Sequence, residues 1–187
     1  MSIDRRIMFT YTADFSSLTH SIIQKFIKEK KVAIDGTLGN GFDTDFLADN
    51  FEIVYAFDIQ KIACDKYKEK QKKNVIVIND SHHKFLEYIN EEVDCIVYNL
   101  GFLPGGDKAI TTCQKSSIDS IKIGIDILKS GGMMLITSYR GHDEGMSEYK
   151  CIQESLYTLP KNKYAVMKHE IINRSNKSPV LFVVEKK

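Results

Sequence analysis

The chain alternates short β-prone runs with amphipathic segments over most of its 187 residues. Apolar positions at helical spacing, Leu18, Ile22, Ile23 and Phe26, predict a first helix over Leu18–Ile27. Five β-prone runs then alternate with helical segments. The predicted strands are 32–35, 53–58, 75–78, 94–100 and 133–139. The predicted helices between and after them are 43–50, 61–72, 85–89, a long helix that begins after Thr111 and Thr112 and includes Leu128, and 148–157.

Two further β-prone runs, Tyr164–Ile172 and Val180–Val184, follow the last helix. Their short connection predicts an antiparallel hairpin rather than another crossover. The pattern therefore predicts an α/β fold, with a doubly wound, mostly parallel seven-stranded sheet and an antiparallel edge hairpin. Because no linker or internal repeat interrupts the pattern, residues 1–187 are expected to form a single domain.

Composition narrows the class of protein. The net charge is +1, so no global field indicates a nucleic-acid partner, although a local patch could still dock RNA. The cysteines Cys64, Cys95, Cys113 and Cys151 are scattered, which is typical of reduced thiols, with Cys95 filling a strand core. The polar N-terminus and the absence of a long apolar run predict a cytoplasmic protein. No His/Cys cluster has metal-ligand spacing, so no metal is expected.

A glycine loop follows the first strand within residues 32–44. Gly36, Gly39 and Gly41 are spaced G-x-x-G-x-G, which differs from the dinucleotide pattern G-x-G-x-x-G. No Lys-Ser/Thr follows the last glycine, which excludes a phosphate-cradling P-loop. A strand, glycine loop and helix of this kind bring a ligand close to bare backbone and to the N–H groups of the helix start.

Acidic residues end the first two strands. Asp35 at the end of the first strand suits a cationic ligand, and Asp43 or Thr44 is expected to cap the next helix. Asp58 ends the second strand about 20 residues past the loop, where nucleotide-binding α/β domains place an acid that accepts from both ribose hydroxyls. The two signals together favour a nucleoside-containing cofactor.

The D-x-T-x-G-x-G segment resembles motif I of the class I S-adenosylmethionine (SAM) methyltransferases. From about His20 to Lys186, the chain is similar to the rRNA methylase family, understood as the bacterial tRNA methyltransferase acting on 5-aminomethyluridine at the wobble position. The blocks that carry this resemblance are IDGTLGNGFDT, YAFDIQ, NLGFLPGGDK and TSYRGHDEG. The chain departs from the family at Phe102, where Tyr is usual, and at Ser178-Pro179, where Pro-Pro is frequent. The resemblance implies a Rossmann-like class I methyltransferase fold.

The resemblance also implies where SAM binds. Asp35 is expected near the methionine ammonium, Asp58 at the ribose, and Ser81 and His82 at the adenine edge, although His82 could simply be a capping residue. The other expected cofactor residues are Gly36, Thr37, Gly39, Asn40, Gly41, Asp43, Thr44, Ile59, Gln60, Asn99, Leu100 and Gly101.

The methyl acceptor is expected to be a primary amine that must lose its ammonium proton before it can attack. Asn99 stands where amino-group methyltransferases carry the first residue of an N/D-P-P-Y block, so its side chain and the Leu100 carbonyl are the natural acceptors of the amine N–H groups. Asp107 is the first candidate proton acceptor, with Tyr139 and His142 as alternatives. Asp107 could equally hold its own loop.

The expected partner is the anticodon stem-loop of tRNA, and a homodimer is left open. Phe102 could stack on the uracil or pack into the core, and Lys108, Arg140 and Lys177 are candidates for phosphate contacts. Two other interpretations stay open, namely a SAM-dependent methyltransferase of rRNA or of a small molecule, and a SAM- or nucleotide-binding protein without turnover. The glycine spacing disfavours a nicotinamide oxidoreductase.

Overall fold

A computed structural model describes residues 9, 11, 12, 14–101 and 114–187. In these ranges the helices are α1 (Phe15–Phe26), α2 (Phe42–Asn50), α3 (Lys61–Lys68), α4 (Phe85–Tyr88), α5 (Gln114–Ile127) and α6 (Asp143–Tyr157). The strands are β1 (Val32–Asp35), β2 (Ile53–Phe57), β3 (Val75–Ile78), β4 (Val93–Leu100), β5 (Leu128–Ser138), β6 (Tyr164–Glu170) and β7 (Val180–Lys186). A short 3₁₀ turn, His82–Lys84, precedes α4.

The strands form one sheet in the order β3-β2-β1-β4-β5-β7-β6. Every neighbouring pair is parallel except the two pairs that contain β7. The predicted mostly parallel sheet with its antiparallel edge hairpin is therefore confirmed. The reversed strand β7 lies one position inside the edge, between β5 and the outermost strand β6.

Helices cover both faces of the sheet, which explains why its central strands read as continuous apolar runs. On one face, Ile34 and Ile96 point into a core shared with α4, α5 and α6. On the other face, Ala33 and Cys95 pack against α1 and α2. Cys95 is fully buried in this second core, which confirms its predicted place.

Three details of the predicted elements are wrong. Helix α3 ends at Lys68 rather than near Lys72, and Gln71 just beyond it has a positive φ of 52°. Leu128 belongs to β5, where it pairs with Val93 before a register shift, and does not continue α5. The helical spacing puts Phe26 on the apolar face of α1, but 55% of its surface is exposed. Ile27, just past the end of the helix, is buried in its place.

A helix that spans a bilayer needs about 20 predominantly apolar residues. Within the described ranges, none of the helices is long and apolar enough to cross a membrane.

Candidate active site

The carboxyl ends of the parallel strands surround a cavity of about 680 Å³. Loops that follow β1, β2, β3, β4 and β5 contribute to its wall, in the place where open α/β sheets hold ligands. Most of the predicted site residues meet here. The predicted residues that line the cavity are Gly36, Thr37, Gly39, Asn40, Gly41, Asp43, Asp58, Ile59, Gln60, Ser81, His82, Asn99, Gly101, Tyr139, His142 and Lys177.

Other predicted site residues do not line the cavity. Asp35, Thr44 and Leu100 are buried behind its wall, and Arg140 is buried elsewhere. Phe102, Asp107 and Lys108 lie outside the described residues.

Glycine is required at two positions of the loop for different reasons. A Cβ atom on Gly36 would lie 2.5 Å from the ring of Tyr98, which is itself buried. Gly41 has a φ of 80° and precedes α2 as its N-cap, and the Tyr67 ring occupies the space that a Cβ would need. The loop can therefore pack against the Tyr98 and Tyr67 rings only because these two side chains are absent.

The expected capping of α2 by Asp43 or Thr44 is wrong. Gly41 is the cap residue, and it has no side chain that could bond to the first N–H groups of the helix. Thr44 instead donates to the buried Asp35 carboxylate at 2.5 Å, and the Thr37 N–H donates to the other oxygen of Asp35 at 2.9 Å. Asp35 thus connects the glycine loop to α2 behind the wall of the cavity.

Burial raises the pKa of Asp35 to about 7, and the nearby negative charge of Asp43 adds to this effect. Hydrogen bonds from Thr44 and Thr37 act in the opposite direction but do not overcome it. Asp35 is therefore an acid whose charge depends on conditions near neutral pH.

Asp58 joins two backbone segments of the wall. One carboxylate oxygen accepts from the Gly39 N–H at 2.8 Å and the other accepts from the Gln60 N–H at 2.8 Å. The carboxylate thereby fixes the glycine loop to the end of β2 and remains part of the cavity wall.

His82 presents an acceptor atom that has no partner. Its Nδ1 lies 2.9 Å from the Gly36 carbonyl oxygen, and since a carbonyl can only accept, Nδ1 must donate. Burial lowers the pKa of His82, which favours the neutral ring and leaves Nε2 as an acceptor. Nε2 is buried and has no hydrogen-bond partner among the residues that the structure describes. A buried polar atom of this kind calls for a donor from a ligand.

Helix α1 contributes residues that the sequence patterns did not indicate. Asp43 accepts hydrogen bonds from Ser16 Oγ at 2.9 Å and from His20 Nε2 at 2.7 Å. The His20 ring stacks on Phe46, with ring centroids 3.8 Å apart. Burial alone would raise the pKa of Asp43, but the bonds from His20 and Ser16 outweigh it, and the pKa lies below its ordinary value.

The spacing of these partners is the one signal that could have indicated their role. Ser16 and His20 are one helical turn apart, so they form a polar stripe on an otherwise amphipathic helix. That stripe does not by itself identify Asp43 as the group it faces.

Asn99 lies between the glycine loop and the end of β5. Its backbone N–H donates to Thr37 Oγ1 at 2.7 Å, and its side-chain amide donates to Asp43 at 3.3 Å. Tyr139 lines the same part of the cavity, and burial together with the charge of Asp43 raises the pKa of its phenol. Tyr139 is therefore a protonated phenol at neutral pH, suited to orient a group rather than to remove a proton.

His142 also has a structural task. Its Nδ1 accepts from the Gly145 N–H at 2.9 Å, and the residue is the N-cap of α6. The ring lines the cavity, but this bond occupies one of its two nitrogens.

Arg140 does not suit a contact with an RNA phosphate, because it is buried and bonded within the protein. Its Nε donates to the Ser178 carbonyl at 2.8 Å, and one terminal nitrogen pairs with Glu170 at 2.8 Å. Arg140 thereby holds the connection between β6 and β7, which carries Lys177. Lys177 itself is exposed and lines the cavity.

A protein metal site needs several donor side chains that converge on one point. Among the described residues no group of three or more His, Cys, Asp or Glu side chains is arranged to hold a metal ion.

The sequence matches the profile of the family described as "Putative rRNA methylase" over residues 54–185. One similar curated protein is the "tRNA (mnm(5)s(2)U34)-methyltransferase, chloroplastic" of Arabidopsis thaliana. The two are 30% identical over 92% of this chain and 69% of the relative.

Solved structures share the fold closely. A "putative rRNA-methylase" from Clostridium thermocellum superposes with a TM-score of 0.87 at 32% identity, covering 91% of this chain and 96% of the other. A "putative methyltransferase" from Streptococcus mutans, in complex with SAH, superposes with a TM-score of 0.84 at 29% identity. That match covers 97% of this chain and all of the other.

Proposed function

The chain belongs to the rRNA methylase family and is a SAM-dependent methyltransferase, and from this premise we propose that it methylates the amine of 5-aminomethyluridine at the wobble position of tRNA. The product is 5-methylaminomethyluridine. The observation that carries the proposal is the match to the plant tRNA (mnm(5)s(2)U34)-methyltransferase over 92% of this chain. The cavity supports it because the Asn99 amide and the Asp43 carboxylate both line it and are hydrogen-bonded to each other.

The residues present fit SAM. Asp58 would accept from the ribose hydroxyls, and Ile59 and Gln60 would flank the adenine. The unpartnered Nε2 of His82 needs a donor, and SAM carries donors in its adenine amino group and ribose hydroxyls. Gly36, Gly39 and Gly41 line the cavity, so these positions of the wall present backbone alone to a ligand. When bound, SAM supplies an electrophilic methyl group on a sulfonium, so the protein has to align the acceptor rather than activate the donor.

On the acceptor side, Asn99 would hold the amine N–H groups and orient the nitrogen lone pair. The Asp43 carboxylate lies beside the Asn99 amide and helps to fix its orientation through the 3.3 Å hydrogen bond. Tyr139 would contribute its phenol as a second orienting group. Asp107 remains the proposed acceptor of the ammonium proton, since Tyr139 keeps its own proton and His142 is engaged at the start of α6.

Methyl transfer from labelled SAM tests this proposal. Purified enzyme is incubated with total tRNA from a strain that accumulates 5-aminomethyluridine, and the nucleosides are analysed by mass spectrometry. We expect a mass gain of one methyl group on that nucleoside alone. Absence of transfer to this tRNA, with intact SAM binding, rejects the wobble-uridine assignment.

A second candidate is an rRNA methyltransferase, favoured by the description of the matching family. The same assay with ribosomal RNA from a strain that lacks this enzyme distinguishes the two candidate functions. Label in rRNA and none in tRNA supports this second candidate. Label in tRNA only supports the first.

A further inference from the structure

Phe42 is exposed to an unusual degree for its residue type and position. It is the first residue of α2, and 74% of its surface is accessible. The phenylalanines Phe57 and Phe85, by contrast, are completely buried in the core. Leaving a large aromatic ring in water forfeits the stabilisation that its burial would give.

The local structure explains why the ring of Phe42 is not absorbed by the fold. Phe46, one turn further along α2, makes the contact with α1 by stacking on His20 with an interplanar angle of 4°. Phe42 follows Gly41, whose left-handed conformation starts the helix at the cavity. The ring is therefore presented at the cavity instead of at the interface between α1 and α2.

Single exposed apolar side chains are common on protein surfaces, but the location of Phe42 indicates that its exposure serves a function. Phe42 and Tyr139 both line the cavity, and Tyr139 is 40% exposed. Phe42 follows β1 and Tyr139 follows β5, while Asn99 is on β4, which lies between these strands in the sheet. Two accessible aromatic residues at the cavity thus follow the two strands on either side of β4, which carries the proposed amine-binding residue.

The charges of the wall favour a neutral flat group over a phosphate at this place. Three carboxylates, Asp43, Asp58 and Asp80, line the cavity. Lys177 is the one lysine or arginine among the described residues of that lining. These carboxylates would repel a phosphate, whereas stacking of a base on an aromatic ring requires no positive charge.

We propose that Phe42 is a stacking platform for a nucleobase of the RNA substrate at the mouth of the cavity. The inference rests on the proposed function in one respect, namely that the acceptor is an RNA. Single-stranded nucleotides are commonly recognised by aromatic rings on which unstacked bases lie. Phe42 is then a substrate-binding residue that takes no part in binding SAM.

The experiment compares steady-state kinetics of wild type, Phe42→Ala and Phe42→Tyr with tRNA as the varied substrate, and SAM affinity by calorimetry. Loss of one base stack should raise the KM for tRNA about tenfold in Phe42→Ala, with kcat and SAM affinity nearly unchanged. Phe42→Tyr keeps a ring of the same shape and should stay within about twofold of wild type. Tyr157→Ala is the matched control, because Tyr157 is 90% exposed on α6 and does not line the cavity.

Salt dependence adds a second readout. A stack releases no counterions, so the ratio of KM values between Phe42→Ala and wild type should be the same at about 50 and about 200 mM salt, to within about twofold. An unchanged KM in Phe42→Ala overturns the inference while leaving the proposed function intact. A loss of SAM affinity in this variant places the ring on the cofactor and also overturns it. No transfer to any RNA by the wild type rejects the proposed function, and the platform with it.

Discussion

The two halves of the cavity are built in different ways. In the half next to β1, β2 and β3, backbone groups form much of the wall, and hydrogen bonds from side chains connect them. Asp58 joins the Gly39 and Gln60 N–H groups, and His82 bonds to the Gly36 carbonyl. In the half next to β4 and β5, accessible side chains form the wall, as at Tyr139 and Lys177.

We propose that the half next to β1, β2 and β3 binds the cofactor and call it the cofactor half, and that the half next to β4 and β5 selects the acceptor. A backbone wall fixed by internal hydrogen bonds is pre-organised for one cofactor and tolerates little change. A wall of accessible side chains can be adapted to different acceptors on the same fold. Variants in the first half should therefore act on SAM affinity or stability, with the accessible Phe42 as the exception that is proposed to contact the RNA. Variants in the second half should act on turnover.

The largest expected effect is on turnover, in Asn99→Ala. This change removes the amide that is proposed to orient the amine, and losing one such preorganised group typically lowers kcat by about 10²–10³-fold. SAM affinity should change by less than about threefold, because the Asn99 backbone bond to Thr37 is retained. Single-turnover kinetics and calorimetry measure the two quantities.

Asn50→Ala is a matched amide truncation at a residue outside the cavity lining, since the Asn50 amide donates to the Phe46 carbonyl within α2. It should leave kcat unchanged. Equal losses of SAM affinity and of turnover in Asn99→Ala would place Asn99 in the cofactor half. The proposed boundary between the two halves of the cavity would then be wrong at β4.

The next effect is on stability and concerns Gly36→Ala. The added methyl group would lie 2.5 Å from the ring of Tyr98, which is buried and hydrogen-bonded to Ser120, so the ring has little freedom to move. Overpacking of this kind typically costs about 1–3 kcal/mol of unfolding free energy, and we expect the upper part of that range. Denaturant unfolding and SAM calorimetry should both show the loss.

Gly141→Ala is the control for Gly36→Ala on the other side of the cavity. No atom of the residues that the structure describes lies within 4 Å of a Cβ at Gly141, so this variant should keep wild-type stability. Equal losses in the two variants would contradict the steric argument.

A smaller effect is expected for Asp58→Ala, in SAM affinity. The change removes the proposed acceptor of the ribose hydroxyls and releases the Gly39 and Gln60 N–H groups. We expect a loss of roughly 1–3 kcal/mol in binding free energy. Asp58→Asn keeps one acceptor oxygen, so its SAM affinity should lie between those of wild type and Asp58→Ala. Unchanged SAM affinity in Asp58→Ala, measured by calorimetry, would remove this residue from the cofactor half.

Much of the cofactor half can be predicted from the sequence because its signals are local. The β-prone runs locate the strand ends, and parallel strands bring their carboxyl ends to one edge. Gly36, Asp58 and His82 are therefore expected near one another from their places in the sequence alone. Their hydrogen-bond partners are backbone groups, which every sequence supplies, so the loop geometry follows from the glycine spacing.

The features of the site that the sequence does not predict depend on contacts between residues far apart in the chain. His20 reaches Asp43 across 23 positions, and no pattern within α1 indicates that partner. Arg140 resembles a surface cation in the sequence because it follows a strand in a polar loop. Its burial is set by Glu170 and Ser178, which come from the terminal hairpin. Phe42 stands just before the predicted helix 43–50, and its exposure is a property of packing that sequence spacing does not encode.

The last prediction concerns the pH dependence of stability and returns to Asp35, which supports the cofactor half from behind. Its pKa is about 7 in the folded protein and near 3.8 in the unfolded chain, so between these values the folded state holds a proton that the unfolded state has lost. This contribution to stability is present below about pH 4 and is lost as the pH rises towards 7, with a slope of at most about 1.4 kcal/mol per pH unit.

Asp35→Asn can still accept from the Thr37 N–H and donate to the Thr44 hydroxyl, as the protonated acid does, but it cannot ionise. The difference in unfolding free energy between the variant and wild type should therefore grow in favour of the variant from about pH 5 to about pH 7. Parallel urea-unfolding profiles over this range would show that Asp35 is ionised throughout and that its burial does not hold the proton.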